Sequence, residues 1–131
     1  MNENRIDLIL KECKGKVVLD IGCIDHNSKY EVKGDWLHKR IKSVAKEIIG
    51  IDYLKDEVEV LNKKGYNIIW ADAENFDLKK KFEVIVGGEI LENLSNPGNF
   101  LNSLKNHMHE NSVIILTTPN VFSLRRIVGM I

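Results

Sequence analysis

The chain has 131 residues, which suits one domain spanning 1–131. Hydrophobic residues make up 44% and charged residues 29%, and nineteen Lys and Arg balance nineteen Asp and Glu. A zero net charge gives no electrostatic reason to expect nucleic acid or an anionic membrane as a partner, and the apolar runs are too short to span a bilayer. The two cysteines, Cys13 and Cys23, form no CxxC pair, which predicts reduced thiols and a cytoplasmic setting. MNENRIDLIL, the N-terminus, lacks the basic and apolar regions of a signal peptide.

Ile6, Ile9, Leu10 and Cys13 recur at helical spacing, predicting an amphipathic helix that Gly15 stops. Residues 16–21 follow as a short strand, and the run Val17-Val18-Leu19 does not alternate, as in a strand buried on both faces. The polar stretch 26–35, HNSKYEVKGD, reads as a loop. Trp36, Leu37, Ile41 and Val44 then mark a helix, with Asp35 as the candidate N-cap. Residues 47–52 form a second strand ending in an acid. Leu54, Val58 and Leu61 line a helix that Gly65 ends, and residues 66–70 form a third strand followed by Ala71-Asp72. Residues 82–86 form a fourth, ending in Gly87-Gly88-Glu89. Pro97 opens a helix carrying Phe100, Leu101, Leu104 and Met108. Residues 112–117 form a fifth strand, broken by Pro119, and residues 121–131 are predicted as one more helix.

Strands that alternate with helices predict an α/β fold, a doubly wound parallel sheet with helices on both faces. Ligands of such sheets bind beyond the carboxyl ends of the strands, where strand order reverses. Asp20, Asp52, Asp72 and Glu89 all fall at or just past a predicted strand end, so four acids are expected on one rim.

The loop after the first strand, Gly22-Cys23-Ile24-Asp25-His26-Asn27, lacks two of the three glycines of a dinucleotide loop, and Asp25 would repel phosphate. Asp52 also lies farther on than the usual spacing of about 20 residues. These features argue against a nucleotide-binding oxidoreductase domain. They suit a ligand with ribose, adenine and a cationic end but no phosphate, because a carboxylate attracts the cation and accepts strong bonds from ribose hydroxyls. S-adenosylmethionine has those parts.

The same stretches resemble the class I S-adenosylmethionine-dependent methyltransferases, from about Gly15 to Ser123. "VVLDIGCIDH" is similar to that family's first motif, in a variant of the form GC-x-x-H. "IIGIDYLKD" resembles the second, "IIWADAENFDL" the third, "FEVIVGGEILENLSNPGNFL" the fourth strand with its loop, and "SVIILTTPN" the fifth strand. The resemblance implies a Rossmann-like sheet of about five strands that lacks the last two strands of the full fold. It implies that Asp20, Gly22 and Cys23 border the methionine part, that Asp52 with Tyr53 holds the ribose and flanks adenine, and that Asp72, Ala73 and Glu74 sit at the adenine edge. Gly87, Gly88 and Glu89 would lie under the sulfonium side. Ile24 and His26 replace glycines of the motif, so Ile24 is expected to crowd the cofactor or contact it, and His26 to touch it. Asn93 stands where many relatives carry histidine.

Methyl transfer from a sulfonium needs positioning more than acid–base chemistry, so the candidate bases are few: His26, Glu89 and, more weakly, His38. Tyr30 and Trp36 are candidate cation–π faces, although core packing suits Trp36 better. His107-Met108-His109 lacks the ligand spacing of a metal site and reads as an exposed helix end. No metal is expected. The acceptor would be a small molecule or a sugar- or lipid-linked compound. Without further strands the fifth would present an exposed apolar edge, favouring a homodimer through that edge. The alternative reading is a non-catalytic binding or dimerisation module of the same fold.

Overall fold

The computed structural model describes residues 3–24, 36–88, 90 and 93–117, together with the backbone of 124–128. The described elements run in chain order as α1 (Glu3–Cys13), β1 (Val17–Ile21), α2 (Leu37–Lys42), β2 (Glu47–Asp52), α3 (Lys55–Lys63), β3 (Ile68–Trp70), β4 (Phe82–Gly88), α4 (Pro97–Lys105), β5 (Met108–Thr117) and β6 (Leu124–Val128). They form one sheet in the order β3-β2-β1-β4-β5-β6. Strands β1 to β5 are mutually parallel and β6 runs antiparallel to β5. The expected doubly wound α/β architecture is therefore present, and strand order reverses between β1 and β4.

Period-two alternation sorts the strand residues onto two faces. Leu19, Ile21, Ile49, Ile51, Ile85, Ile114 and Leu116 pack with Phe76, Phe82, Phe100 and Leu104 on the α4 side. Val18, Ile48, Val84, Val86, Val113 and Ile115 pack with Ile9, Cys13 and Ile41 on the α1–α2 side. A third cluster joins Cys23, Ile24 and Trp36 to Val58 and Leu61 of α3 and Ile68 of β3. Covering both faces explains why the strands read as continuous apolar runs rather than alternating ones.

Four expectations change at the element level. Met108, spaced like Phe100 and Leu104 for a helix, instead opens β5; it joins their cluster all the same, so its burial alone does not distinguish helix from strand. Residues 124–128 are a strand, not part of a helix over 121–131, and the β-branched Ile127 and Val128 suit that state. Because β6 pairs with Val113 to Thr117, β5 is not an exposed edge, and the backbone groups that would have joined a second copy are already paired. The N-cap position of α2 belongs to Trp36, and Asp35 lies outside the described residues.

Gly50 of β2 sits beside Asp20 of β1 in the sheet. A Cβ there would lie 2.6 Å from Cys23 Sγ and 2.9 Å from His38 Cε1, and both groups are buried. Gly50→Ala is therefore expected to cost about 1–3 kcal/mol through overpacking, a fall of roughly 5–10 °C in Tm. A thermal melt identical to wild type would show that the neighbours yield freely.

Candidate functional site

The turn after β1 begins at Gly22, whose φ of +66° lies in the left-handed region that glycine enters without a steric penalty. Its N–H and that of Cys23 both donate to the Ile51 carbonyl, at 2.9 and 3.3 Å, so the chain leans from β1 toward the end of β2. There the Ile24 N–H donates to Asp52 Oδ2 at 2.9 Å. On the far side the Trp36 indole N–H donates to the Cys23 carbonyl at 2.6 Å. The Ile24 side chain is buried against α3. The side chain thus packs into the cluster with Val58 and Leu61, while the Ile24 N–H stands on Asp52. Cys23 is buried in the same cluster. Burial first, then the carboxylates of Asp20 and Asp52, push its thiol well above the ordinary range, which makes it a packing residue rather than a nucleophile. Cys13 is pushed up to about 12, by burial and then by Asp20 and Glu12.

Asp20 lies near the end of β1 as expected, but its side chain takes the α1–α2 side because Leu19 and Ile21 take the other. Its Oδ2 accepts from His38 Nδ1 of α2 at 2.9 Å, and both side chains are almost fully buried. The carboxylate is thus committed beneath the turn and does not face the rim. His38 is correspondingly a support for that turn rather than a surface base. Its ring stacks on Trp36 with centroids 5.0 Å apart, and Trp36 meets Tyr66 edge-on at 5.0 Å, so the core role of Trp36 is confirmed.

Asp52 closes β2 and is only 4% exposed. Oδ2 holds Ile24 and Oδ1 accepts the Leu54 N–H at 3.1 Å, so one carboxylate ties together the turns after β1 and β2. Burial raises its pKa above the ordinary 3.8 and Asp20 adds to the rise, although bonds from Ile24, Leu54 and Tyr53 N–H groups oppose it.

Beside Asp52 opens a cleft of about 590 Å³ lined by Tyr53, Trp70, Ala71 and Asp72. Tyr53 is 74% and Trp70 57% exposed, unusual values for large aromatic side chains. Trp70 is held by its indole N–H, which donates to the Tyr53 carbonyl at 3.0 Å, and Lys55 Nζ lies 5.0 Å from its ring centroid. Asp72 Oδ1 accepts the Glu74 N–H at 2.9 Å. Ala73 lies in the turn between Asp72 and Asn75 and is half-buried against the α4-side core. The Glu74 carboxylate accepts from Ser95 and Asn96. Trp70 and Ala71 are the cleft residues that the motif reading misses. The signal is a tryptophan at the last position of an edge strand, where burial cannot account for it.

Gly87 and Gly88 end β4 at the point where strand order reverses. Ile90 reaches over that point: its side chain would lie 3.5 Å from a Cβ on Gly22 and 3.2 Å from one on Gly87. Asp25, His26, Tyr30 and Glu89 lie outside the described residues. Asn93 is exposed. His107 is not an exposed helix end but is fully buried, with Nδ1 donating to the Ser103 carbonyl at 2.6 Å and Nε2 accepting the Leu78 N–H at 2.9 Å. Among the described residues no three His, Cys, Asp or Glu side chains are grouped to hold a metal ion, and no helix is long and apolar enough to cross a membrane.

The fold is that of a Rossmann-like sheet with a cleft at its strand ends. Residues 2–129 match the family described as methyltransferase domain, and the chain belongs to that family. It is 25% identical over 133 residues to a ubiquinone biosynthesis O-methyltransferase of Rickettsia prowazekii, covering 92% of this chain and 49% of that protein. It is 24% identical over 102 residues to a (S)-tetrahydroprotoberberine N-methyltransferase of Eschscholzia californica, covering 78% and 29%. Among solved structures, the plantazolicin methyltransferase BpumL in complex with SAH superposes with a TM-score of 0.59 at 26% identity, covering 86% of this chain and 42% of that one. The chain thus spans half or less of the length of these relatives.

Proposed function

We propose that this domain binds S-adenosylmethionine in the cleft beyond β1, β2 and β3 and serves methyl transfer to a hydroxyl or amine of a small molecule. The observation that carries the reading is the buried Asp52 carboxylate at the end of β2, set beside the aromatic cleft of Tyr53 and Trp70. Its two oxygens offer about four acceptor positions, and the backbone N–H groups of Ile24, Leu54 and Tyr53 use three of them, which keeps acceptor capacity for a ribose hydroxyl. Tyr53 and Trp70 offer flat apolar walls for a purine, and Asp72 keeps Oδ2 for an exocyclic amino group, Oδ1 being used by Glu74. Gly22 and Gly88 leave the backbone bare near the strand-order reversal, where a methionine chain can approach. An acidic rim of this kind would repel a polyphosphate.

When bound, S-adenosylmethionine supplies a methyl group on a positively charged sulfur that is already a good leaving group. The chain's own part is then to orient: Asp52 fixes the sugar and the aromatic walls the base, while the Asp20–His38 pair holds the turn from below. Proton removal matters only for an acceptor that must lose one, and His26 and Glu89 are the candidate bases. An O-methyltransferase and an N-methyltransferase among the relatives favour small hydroxyl and amine acceptors. Free buried Cys13 and Cys23 suit a reducing compartment such as the cytoplasm. Titration calorimetry with S-adenosylmethionine, S-adenosylhomocysteine and NAD is expected to show binding of the first two alone. Methyl transfer from labelled cofactor to a panel of phenols and amines would identify the acceptor class. Binding of NAD without S-adenosylhomocysteine would refute the assignment.

A further inference from the structure

Both carboxylate oxygens of Glu74 are used as acceptors. Oε2 accepts the Ser95 N–H at 3.2 Å and the Ser95 hydroxyl at 3.0 Å, and Oε1 accepts the Asn96 N–H. On one side this cluster continues to the cleft, because Asp72 Oδ1 holds the Glu74 N–H. On the other it continues into α4, because Asn96 Oδ1 accepts the Asn99 N–H at 3.0 Å and caps the helix. Hydrogen bonds linked through Glu74 and Asn96 therefore join Asp72 in the cleft wall to the first turn of α4. After β4, Ile90 lies over Gly22 and Gly87, and Ser95 sits on the Glu74 carboxylate. Desolvation works against the ionised form of Glu74, but the bonds from Asn96 and Ser95 outweigh it and hold the carboxyl below its usual range, as expected for a charge-assisted clamp. Asn96 already caps α4, so the helix itself does not need Glu74.

We propose that Glu74 is a positioning residue that couples the adenine side of the cleft to Ser95 and Ile90 after β4, so that occupancy beside Asp72 steadies Ile90 over the strand-order reversal. The inference rests on the S-adenosylmethionine reading above. The test compares wild type, Glu74→Ala and Glu74→Gln for S-adenosylhomocysteine affinity by calorimetry and for amide hydrogen exchange at Ser95 and Asn96. In wild type the ligand is expected to slow exchange at both amides. Glu74→Ala is expected to lose that slowing and to bind roughly five- to tenfold more weakly, the lower end of coupling between sites. Glu74→Gln, which keeps an acceptor oxygen on the same stem, is expected to recover most of the affinity. If Glu74→Ala does not fold, Ser95→Ala replaces it; because the Ser95 and Asn96 N–H bonds to Glu74 remain, the expected loss is smaller, about threefold. Wild-type affinity in these variants, or unchanged exchange in a wild type that binds the ligand, overturns the coupling alone. A wild type that does not bind S-adenosylhomocysteine overturns the cofactor reading with it.

Discussion

Asp52→Ala is expected to weaken S-adenosylhomocysteine binding by about 1.5–3 kcal/mol, the worth of a hydrogen bond to a charged group, or roughly 10- to 150-fold in Kd. The same change removes the acceptor of the Ile24 and Leu54 N–H groups. With the turns after β1 and β2 no longer tied together, stability should fall by about 2–4 kcal/mol. Asp52→Asn separates the two effects. It keeps the shape, but its amide nitrogen must face one of those two N–H groups, so one bond becomes a repulsion. Calorimetry on folded Asp52→Asn with an unchanged Kd would remove Asp52 from the sugar site.

The raised pKa of Asp52 gives this residue a second signature. Its folded carboxyl holds a proton to higher pH than the unfolded value of 3.8. As pH rises from that value through the folded pKa, the unfolded chain ionises first, so the contribution of this group to stability is largest below the window, falls across it and is flat above. Ribose hydroxyls donate to the ionised form and favour it. S-adenosylhomocysteine affinity should therefore change in the opposite sense, rising through the same window and levelling off above. A titration series run upward from the unfolded value of 3.8 should show the rise in wild type and lose it in Asp52→Asn.

The strand ends are legible in the sequence because parallel, doubly covered strands are short apolar runs, and acids interrupt them where they reach the rim. Residues 47–52 are predicted and observed as β2 without a shift at either end. The direction in which an acid points is not legible at that level. Asp20 and Asp52 both stand near strand ends, yet one is paired with His38, 18 residues away, and the other holds backbone on the rim side. Which helix lies beneath a strand decides this, and no local pattern records it. The direction of Ile24 is hidden for a related reason: a motif comparison sees a missing glycine, whereas the side chain packs into the α3 cluster. The C-terminal strand fails because an apolar stretch containing Leu124, Ile127 and Val128 fits either period, and pairing with β5 settles the choice.

His107→Ala is expected to be strongly destabilising. The imidazole is completely buried, with its ring centroid 4.5 Å from that of Phe76 and 6.3 Å from that of Phe82. The Ser103 carbonyl can only accept and the Leu78 N–H can only donate, so the ring is held as the neutral tautomer with its proton on Nδ1. Both nitrogens are committed, which leaves no lone pair for a metal. Through these two bonds His107 joins α4 to the loop between β3 and β4, the loop that also carries Glu74. Truncation to alanine removes both bonds and opens a cavity against the two phenylalanines, for a loss of about 3–5 kcal/mol. Against a total stability of about 5–15 kcal/mol, that is a fall of roughly 10–20 °C in Tm. His107→Gln, which offers a donor and an acceptor but no ring, should lose about half as much. His109→Ala, at an exposed position of β5, should stay within about 0.5 kcal/mol of wild type. Urea unfolding of the three variants orders them directly, and a His107→Ala midpoint matching that of His109→Ala would refute the bridging role.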